Sequence, residues 1–180
     1  MDYQGWGNVM RTEFLRKRRL VLTGILASIC LLQSIELPLA ATATSTFAVT
    51  ITLTATCTVS SPNTLAFGTQ GILSANVDAQ ADFFVTCTTS TPYSVGLNAG
   101  TGTGATVAVR KMTSGASTVN YTIYSDSGRT TVWGNTVSTD TVAGTGTGAA
   151  QTLTAFGRVP SQTTPAALSY SDTITVTVTY

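Results

Sequence analysis

Two stretches of alternating apolar residues, one near residue 50 and one at 173–180, constrain the fold most strongly. In the first, which covers 46–59, every second position is apolar: Phe47, Val49, Ile51, Leu53, Ala55, Cys57 and Val59. In the second, threonines alternate with Ile174, Val176, Val178 and Tyr180. Because successive side chains of a β-strand point to opposite faces, each stretch predicts a strand with one apolar face and one hydroxyl face.

Between these stretches the sequence is typical of an all-β protein. Short apolar runs bounded by Gly, Asn and Ser predict strands at 64–67, 81–87, 93–97, 106–112, 120–124, 131–133 and 152–156. Glycine-rich sequences predict a flexible hairpin tip at 101–104 and a second tip at 145–148. Outside the N-terminal region no stretch carries a useful helical apolar period, so we expect a β-sandwich.

The first 43 residues predict an export signal. A basic cluster at 16–19 precedes an apolar run at 20–32, and small residues follow at 40–43. We therefore expect residues 1–43 to be removed, with cleavage after residue 40 or 41 as alternatives and Met10 as an alternative start. Residues 44–56 then form a free N-terminal arm and residues 57–180 form one β-domain. The apolar run is too short for a stable membrane span, so we expect none in the mature chain.

Two cysteines, Cys57 and Cys87, remain after the predicted signal. An exported protein matures in an oxidising compartment, which favours a disulfide between them. A reactive or metal-binding thiol has less support, since the chain contains no histidine and no Cys-x-x-Cys motif. We expect a structural disulfide, no metal site and no cofactor.

Charge and residue types argue against several classes of function. From residue 44 onward four basic side chains stand against five acidic ones, a net charge of −1, so no basic surface for nucleic acid is expected. The five aspartates are scattered and Lys111 is the one candidate base for a nucleophile, so we expect no enzyme. A sugar-binding shelf of Trp133, Tyr121, Tyr124 and Tyr93 is possible, but such aromatics more often fill the core of a sandwich.

Several phrases in the predicted β-domain together resemble the spore coat protein U domain family, which includes subunits of archaic, Csu-type chaperone–usher pili. They are, in chain order, CTV at 57–59, LAFG at 65–68, PYSVGLNAG at 92–100, RKM at 110–112, YTIY at 121–124, WG at 133–134, FGRVP at 156–160 and YSD at 170–172. The resemblance covers essentially the whole chain after the predicted signal. One departure is Leu168-Ser169, where the family often has a glycine.

The resemblance implies an incomplete immunoglobulin-like sandwich that lacks its last strand. A periplasmic chaperone would lend a strand to the open groove, and an outer-membrane usher would exchange it for the arm of the next subunit. On this hypothesis the donor residues are Phe47, Val49, Ile51 and Leu53. The edge of the groove is then formed by Ile174, Val176, Val178 and Tyr180. An open sheet edge is an aggregation hazard, and addition of a strand is the physical way to cover it.

The sequence therefore predicts a non-enzymatic subunit of a secreted fibre, which passes through the periplasm and serves adhesion or biofilm formation at the cell surface. Its expected partners are other subunits in a head-to-tail polymer, the chaperone and the usher. The alternative is a self-complemented coat protein or glycan-binding sandwich. In that case residues 46–54 would fold back into the groove of their own chain.

Overall fold

The structure, a computed structural model, describes residues 40–60 and 63–180. The chain divides into the units Met1–Ala48 and Val49–Tyr180. Of the first unit, residues 40–48 are described; they are exposed and belong to no helix or strand. Most of the predicted export signal lies outside the described residues. Within the described ranges, no helix is long and apolar enough to cross a membrane.

The described part of the Val49–Tyr180 unit folds into eight strands in two antiparallel sheets. The strands are β1 (Cys57–Ser60), β2 (Val77–Cys87), β3 (Pro92–Leu97), β4 (Arg110–Ser114), β5 (Ser117–Tyr124), β6 (Val142–Thr145), β7 (Ala150–Val159) and β8 (Val176–Thr179). One sheet has the order β1-β2-β7-β5-β4 and the other the order β6-β3-β8. The predicted all-β, immunoglobulin-like fold is confirmed.

The core lies between the inner faces of the two sheets. Phe83, Val85 and Cys87 alternate along β2 and are at most 2% exposed, because every second residue of this strand faces the other sheet. Val95 on β3 lies opposite them and is fully buried. Trp133 packs into the same core, with its ring centroid 5.6 Å from that of Phe83.

The aromatic residues considered for a sugar-binding shelf lie mostly in the core. Trp133, Tyr121 and Tyr93 are between 1% and 6% exposed, and Tyr124 is half-buried. The expectation that they fill the sandwich is confirmed for the three buried residues.

Several strand predictions were wrong in their bounds. The long strand predicted at 46–59 is paired only over β1, and residues 49–56 belong to no strand of the described ranges. The segment 64–67 is not a strand, because it pairs with no strand among the described residues. Leu65 and Phe67 nevertheless alternate as predicted, and their side chains pack over Gly157 of β7. At 131–133 the structure has an isolated bridge between Val132 and Tyr124.

The prediction of a hairpin tip at 101–104 was also wrong. This sequence connects β3 to β4, which belong to different sheets, and a turn between two sheets is not a hairpin. The hairpin lies between β4 and β5, at Gly115 with φ 58°. The second tip, 145–148, likewise connects two sheets, because it leads from β6 to β7.

The structure joins Cys57 and Cys87 by a disulfide across the first residue pair of β1 and β2. The two Cα atoms are 4.1 Å apart and the residues are separated by 30 positions in the sequence. The bond therefore ties the shortest edge strand of the larger sheet to the longest strand of the fold.

Candidate functional site

An open groove of about 1010 Å³ leads from the surface into the core of the Val49–Tyr180 unit. One wall is the inner face of β2, β5 and β7, and the other is formed by residues 63–71 and 164–176. Its apolar lining includes residues that belong to the core itself: Leu73, Phe83, Leu97, Val119, Ile123, Ala155 and Val159. The core of the sandwich is thus accessible along one side.

Strand β8 forms one rim of this groove and lies at the edge of its sheet. Within the described residues it pairs only with β3, with Val178 opposite Val95 and Val176 opposite Leu97. The Asn98 N–H donates to the carbonyl of Thr175 at 3.1 Å, so this pair is a hydrogen-bonded one. Because hydrogen-bonded and non-hydrogen-bonded pairs alternate in an antiparallel ladder, the backbone groups of Val176 and Val178 point away from β3. They are available to a further strand.

The side chains of the predicted edge residues face the groove or its neighbourhood. Ile174 and Val176 are half-buried and line the groove, and Val178 is half-buried against the core. Tyr180 is 58% exposed. The intervening threonines are exposed, so the alternation in the sequence corresponds to two faces of one extended segment.

On its side away from β8, strand β3 is covered along its whole length. Beyond the short strand β6, the indole N–H of Trp133 donates to the carbonyl of Val95 at 2.8 Å. The Leu97 N–H donates to the carbonyl of Gly134 at 2.8 Å. A guanidinium N–H of Arg110 donates to the carbonyl of Leu97 at 3.0 Å. These groups take the place of a neighbouring strand.

Arg110 is fully buried and connects β4 of the larger sheet to β3 of the smaller one. In addition to Leu97, it donates to the carbonyls of Asn98 at 2.8 Å, Val107 at 2.8 Å and Trp133 at 2.7 Å. Burial lowers the pKa of Arg110, but an arginine stays charged in proteins and here the carbonyl dipoles compensate its charge. In the sequence, Arg110 stood out only as part of the RKM motif; the available signal was a rare charged residue inside the strand predicted at 106–112.

A polar cluster closes the groove at the end where β8 begins. The Tyr121 hydroxyl donates to Asp172 Oδ2 at 2.7 Å, and Asp172 Oδ1 accepts from the backbone and hydroxyl of Thr101 at 2.7 and 2.8 Å. A Cβ at Gly100, which has φ 83°, would overlap the carboxylate. Asp172 thereby fixes the segment before β8 to the opposite sheet.

Because of this cluster, we expect the folded chain to lose stability at alkaline pH. Burial of the side chain raises the pKa of Tyr121, and the hydrogen bond to Asp172 raises it further. A free tyrosine ionises near pH 10, so above that pH the unfolded chain loses a proton that the folded chain retains. We expect the free energy of unfolding to fall by about 1.4 kcal/mol per pH unit from this group above about pH 10. Urea titrations between pH 8 and pH 11 measure the slope. The slope for Tyr121→Phe should be shallower than that of the wild type by that amount. Equal slopes in the two proteins would contradict a raised pKa of Tyr121.

The apolar side chains of the arm are exposed. Phe47 is 87%, Val49 84%, Ile51 83% and Leu53 81% exposed. Residues 49–54 are absent from the lining of the groove. Large apolar side chains exposed at every second position indicate a surface that is covered by something else.

The described residues offer no second site of comparable character. They contain no group of three or more His, Cys, Asp or Glu side chains that could hold a metal ion. A shallower depression, of about 480 Å³, is lined mainly by hydroxyl and small side chains around Tyr93.

The chain belongs to the spore coat protein U domain family, whose sequence pattern matches residues 43–177. Its fold is similar to that in the crystal structure of the CsuC-CsuE chaperone-tip adhesion subunit pre-assembly complex from archaic chaperone-usher Csu pili of Acinetobacter baumannii. The TM-score is 0.53 at 24% identity, over 72% of this chain. The chain spans 40% of the length of the chain that it matches. No curated protein matches the sequence.

Proposed function

We propose that this protein is a subunit of a chaperone–usher surface fibre and that its arm completes the sandwich of a neighbouring copy. One observation carries the proposal: an open groove beside the free edge of β8, in a chain that exposes four alternating apolar side chains on its arm. Membership of the spore coat protein U domain family and the similarity to a subunit of Csu pili support it.

The arm and the edge of the groove have matching dimensions. From Phe47 to Leu53 an extended chain covers about 20 Å, at about 3.3 Å per residue. The stretch from Ile174 to Tyr180 has the same number of residues and hence the same length. A strand laid along β8 receives hydrogen bonds from Val176 and Val178 and turns every second side chain toward the open core.

The proposal also accounts for export and assembly. Residues 1–43 act as the export signal, residues 44–56 as the donor arm and residues 57–180 as the acceptor domain. In the periplasm a chaperone covers the groove, and an usher at the outer membrane replaces the chaperone with the arm of the next copy. A head-to-tail contact of this kind does not close on itself and produces a fibre, whose role is adhesion or biofilm formation. This role requires neither a cofactor nor a catalytic group.

Electrophoresis after mild and after boiling SDS treatment tests the proposal. We expect the processed chain to give a ladder of multimers under mild conditions and a single monomer band after boiling, because strand addition buries an apolar arm in each neighbour. Size-exclusion chromatography should show the same multimers in native buffer. A clean monomer under both treatments would support the self-complemented alternative, although the high exposure of Val49, Ile51 and Leu53 counts against it.

A further inference from the structure

The arm joins the β-domain at Thr56, where Thr88 holds its backbone. The Thr56 N–H donates to Thr88 Oγ1 at 3.2 Å, and the Thr88 N–H donates to the carbonyl of Thr56 at 3.0 Å. Thr88 Oγ1 also lies 2.6 Å from Thr91 Oγ1, and Thr91 is 7% exposed. The hydroxyl that accepts from Thr56 is therefore held in place by a buried neighbour.

The disulfide lies directly beside this contact. Cys57 and Cys87 form the first residue pair of β1 and β2, and within the described residues β1 pairs with no other strand. A pull on Thr56 would otherwise open the four pairs of β1 one after another, beginning at Cys57. Since the bond joins the two strands at that first pair, this opening cannot begin.

The same arrangement removes a long segment from the path of a pulling force. Tension that enters at Thr56 passes from Cys57 through the disulfide to Cys87, and residues 58–86 are bypassed. This bypassed segment includes most of β1, most of β2 and the 63–71 wall of the groove. The 63–71 wall thus lies outside the covalent path of the force while the arm is pulled.

We propose that Thr88 and the Cys57–Cys87 disulfide form a mechanical anchor for the arm, which protects the groove of a subunit when its own arm is under tension. The inference rests on the proposed function only in that a fibre would load the arm. The anchor itself is a property of one chain and can be measured without assembly.

Single-molecule pulling of the processed chain tests the anchor, with handles at its N-terminus and after Tyr180. Reduction of the folded chain should lower the force of the first extension step. The total extension should grow by about 100 Å, the length of the chain between Cys57 and Cys87, which are separated by 30 positions. In the reduced chain, Thr88→Val removes the hydroxyl at nearly constant shape and should raise the rate of the first step at constant force roughly tenfold, because the hydrogen bonds to Thr56 and Thr91 are lost. Thr88→Ser retains the hydroxyl and should behave like the wild type.

A second pulling geometry separates an anchor from a general stabiliser. With handles at Gly115 and after Tyr180, the force does not pass through Thr56, Thr88 or the disulfide, so reduction and Thr88→Val should leave the first step nearly unchanged. Equal weakening in both geometries, or no change in the first geometry, would overturn the anchor. If the chain behaves as predicted in both geometries but forms no multimers, the result would support the anchor and contradict the proposed fibre.

Discussion

Ile51→Asp is expected to abolish assembly of the chain into multimers while the β-domain stays folded. Ile51 is 83% exposed in the single chain, so the substitution removes no packing there. In a neighbour's groove, the same change gives up about 2 kcal/mol of apolar burial and places an unpaired carboxylate among apolar side chains, at a cost of several kcal/mol more. SDS ladders and electron microscopy measure assembly, and circular dichroism measures folding. Val49→Asp should act in the same way.

Thr52→Asp is the matched control for this prediction. It introduces the same charge one residue away, on the hydroxyl face of the arm, which stays in water when the apolar face is buried. We expect ladders close to those of the wild type. Chaperone binding should persist in the Ile51 and Val49 variants, because under the proposed function a chaperone would occupy the groove rather than the arm. If Ile51→Asp assembled as well as the wild type, that result would contradict the proposal that the arm is buried in the groove of a neighbouring copy.

Arg110→Met is expected to prevent stable folding. It leaves four carbonyls without the donor that satisfies them, those of Leu97 and Trp133 in buried contacts and those of Asn98 and Val107 in part-buried ones. Each unsatisfied group costs about 1–3 kcal/mol, so the total is comparable with the 5–15 kcal/mol that stabilise a typical domain. Near-ultraviolet circular dichroism and thermal unfolding measure the loss. These contacts hold β3 in place, and β3 is the strand that pairs with β8. We therefore expect the groove and the fold to be lost together.

Two further substitutions make the Arg110 prediction specific. Arg110→Lys keeps the charge but lacks the planar fork of donors, so we expect an intermediate stability. Arg158→Met removes an arginine that binds Asp78 at the surface, at 2.7 and 2.8 Å. That pair is exposed to solvent, which screens the charges, so its loss should change stability only slightly. Equal effects of Arg110→Met and Arg158→Met would contradict the role assigned to Arg110.

The alternation near both ends of the chain was predictable because it is local. Period-two patterns such as Ile174, Val176 and Val178 need only neighbouring residues to be recognised, and the structure places these three on one face. The all-β class followed from the same patterns. The pairing of Cys57 with Cys87 followed from the compartment and the count of cysteines rather than from geometry.

Other features depend on contacts between distant residues and left little trace in the sequence. Strand β6 has the sequence VAGT, whose propensity for a strand is low, and it exists because β3 pairs with it. The bounds of β1 are set by the register with β2, not by the apolar pattern, which continues upstream into the arm. The four carbonyl partners of Arg110 converge only after folding, so a lone arginine in the sequence did not indicate them.

Cross-linking between isotopically distinct chains tests most directly whether one copy fills the groove of another. A photoreactive amino acid replaces Ile51, and heavy-labelled and unlabelled chains are mixed before assembly. After irradiation, mass spectrometry identifies peptides that join the arm to β8 or to the lining of the groove. The account predicts cross-linked products that combine a heavy arm with a light groove, and the reverse. Products in which arm and groove always carry the same label would contradict it, because the arm would then occupy the groove of its own chain.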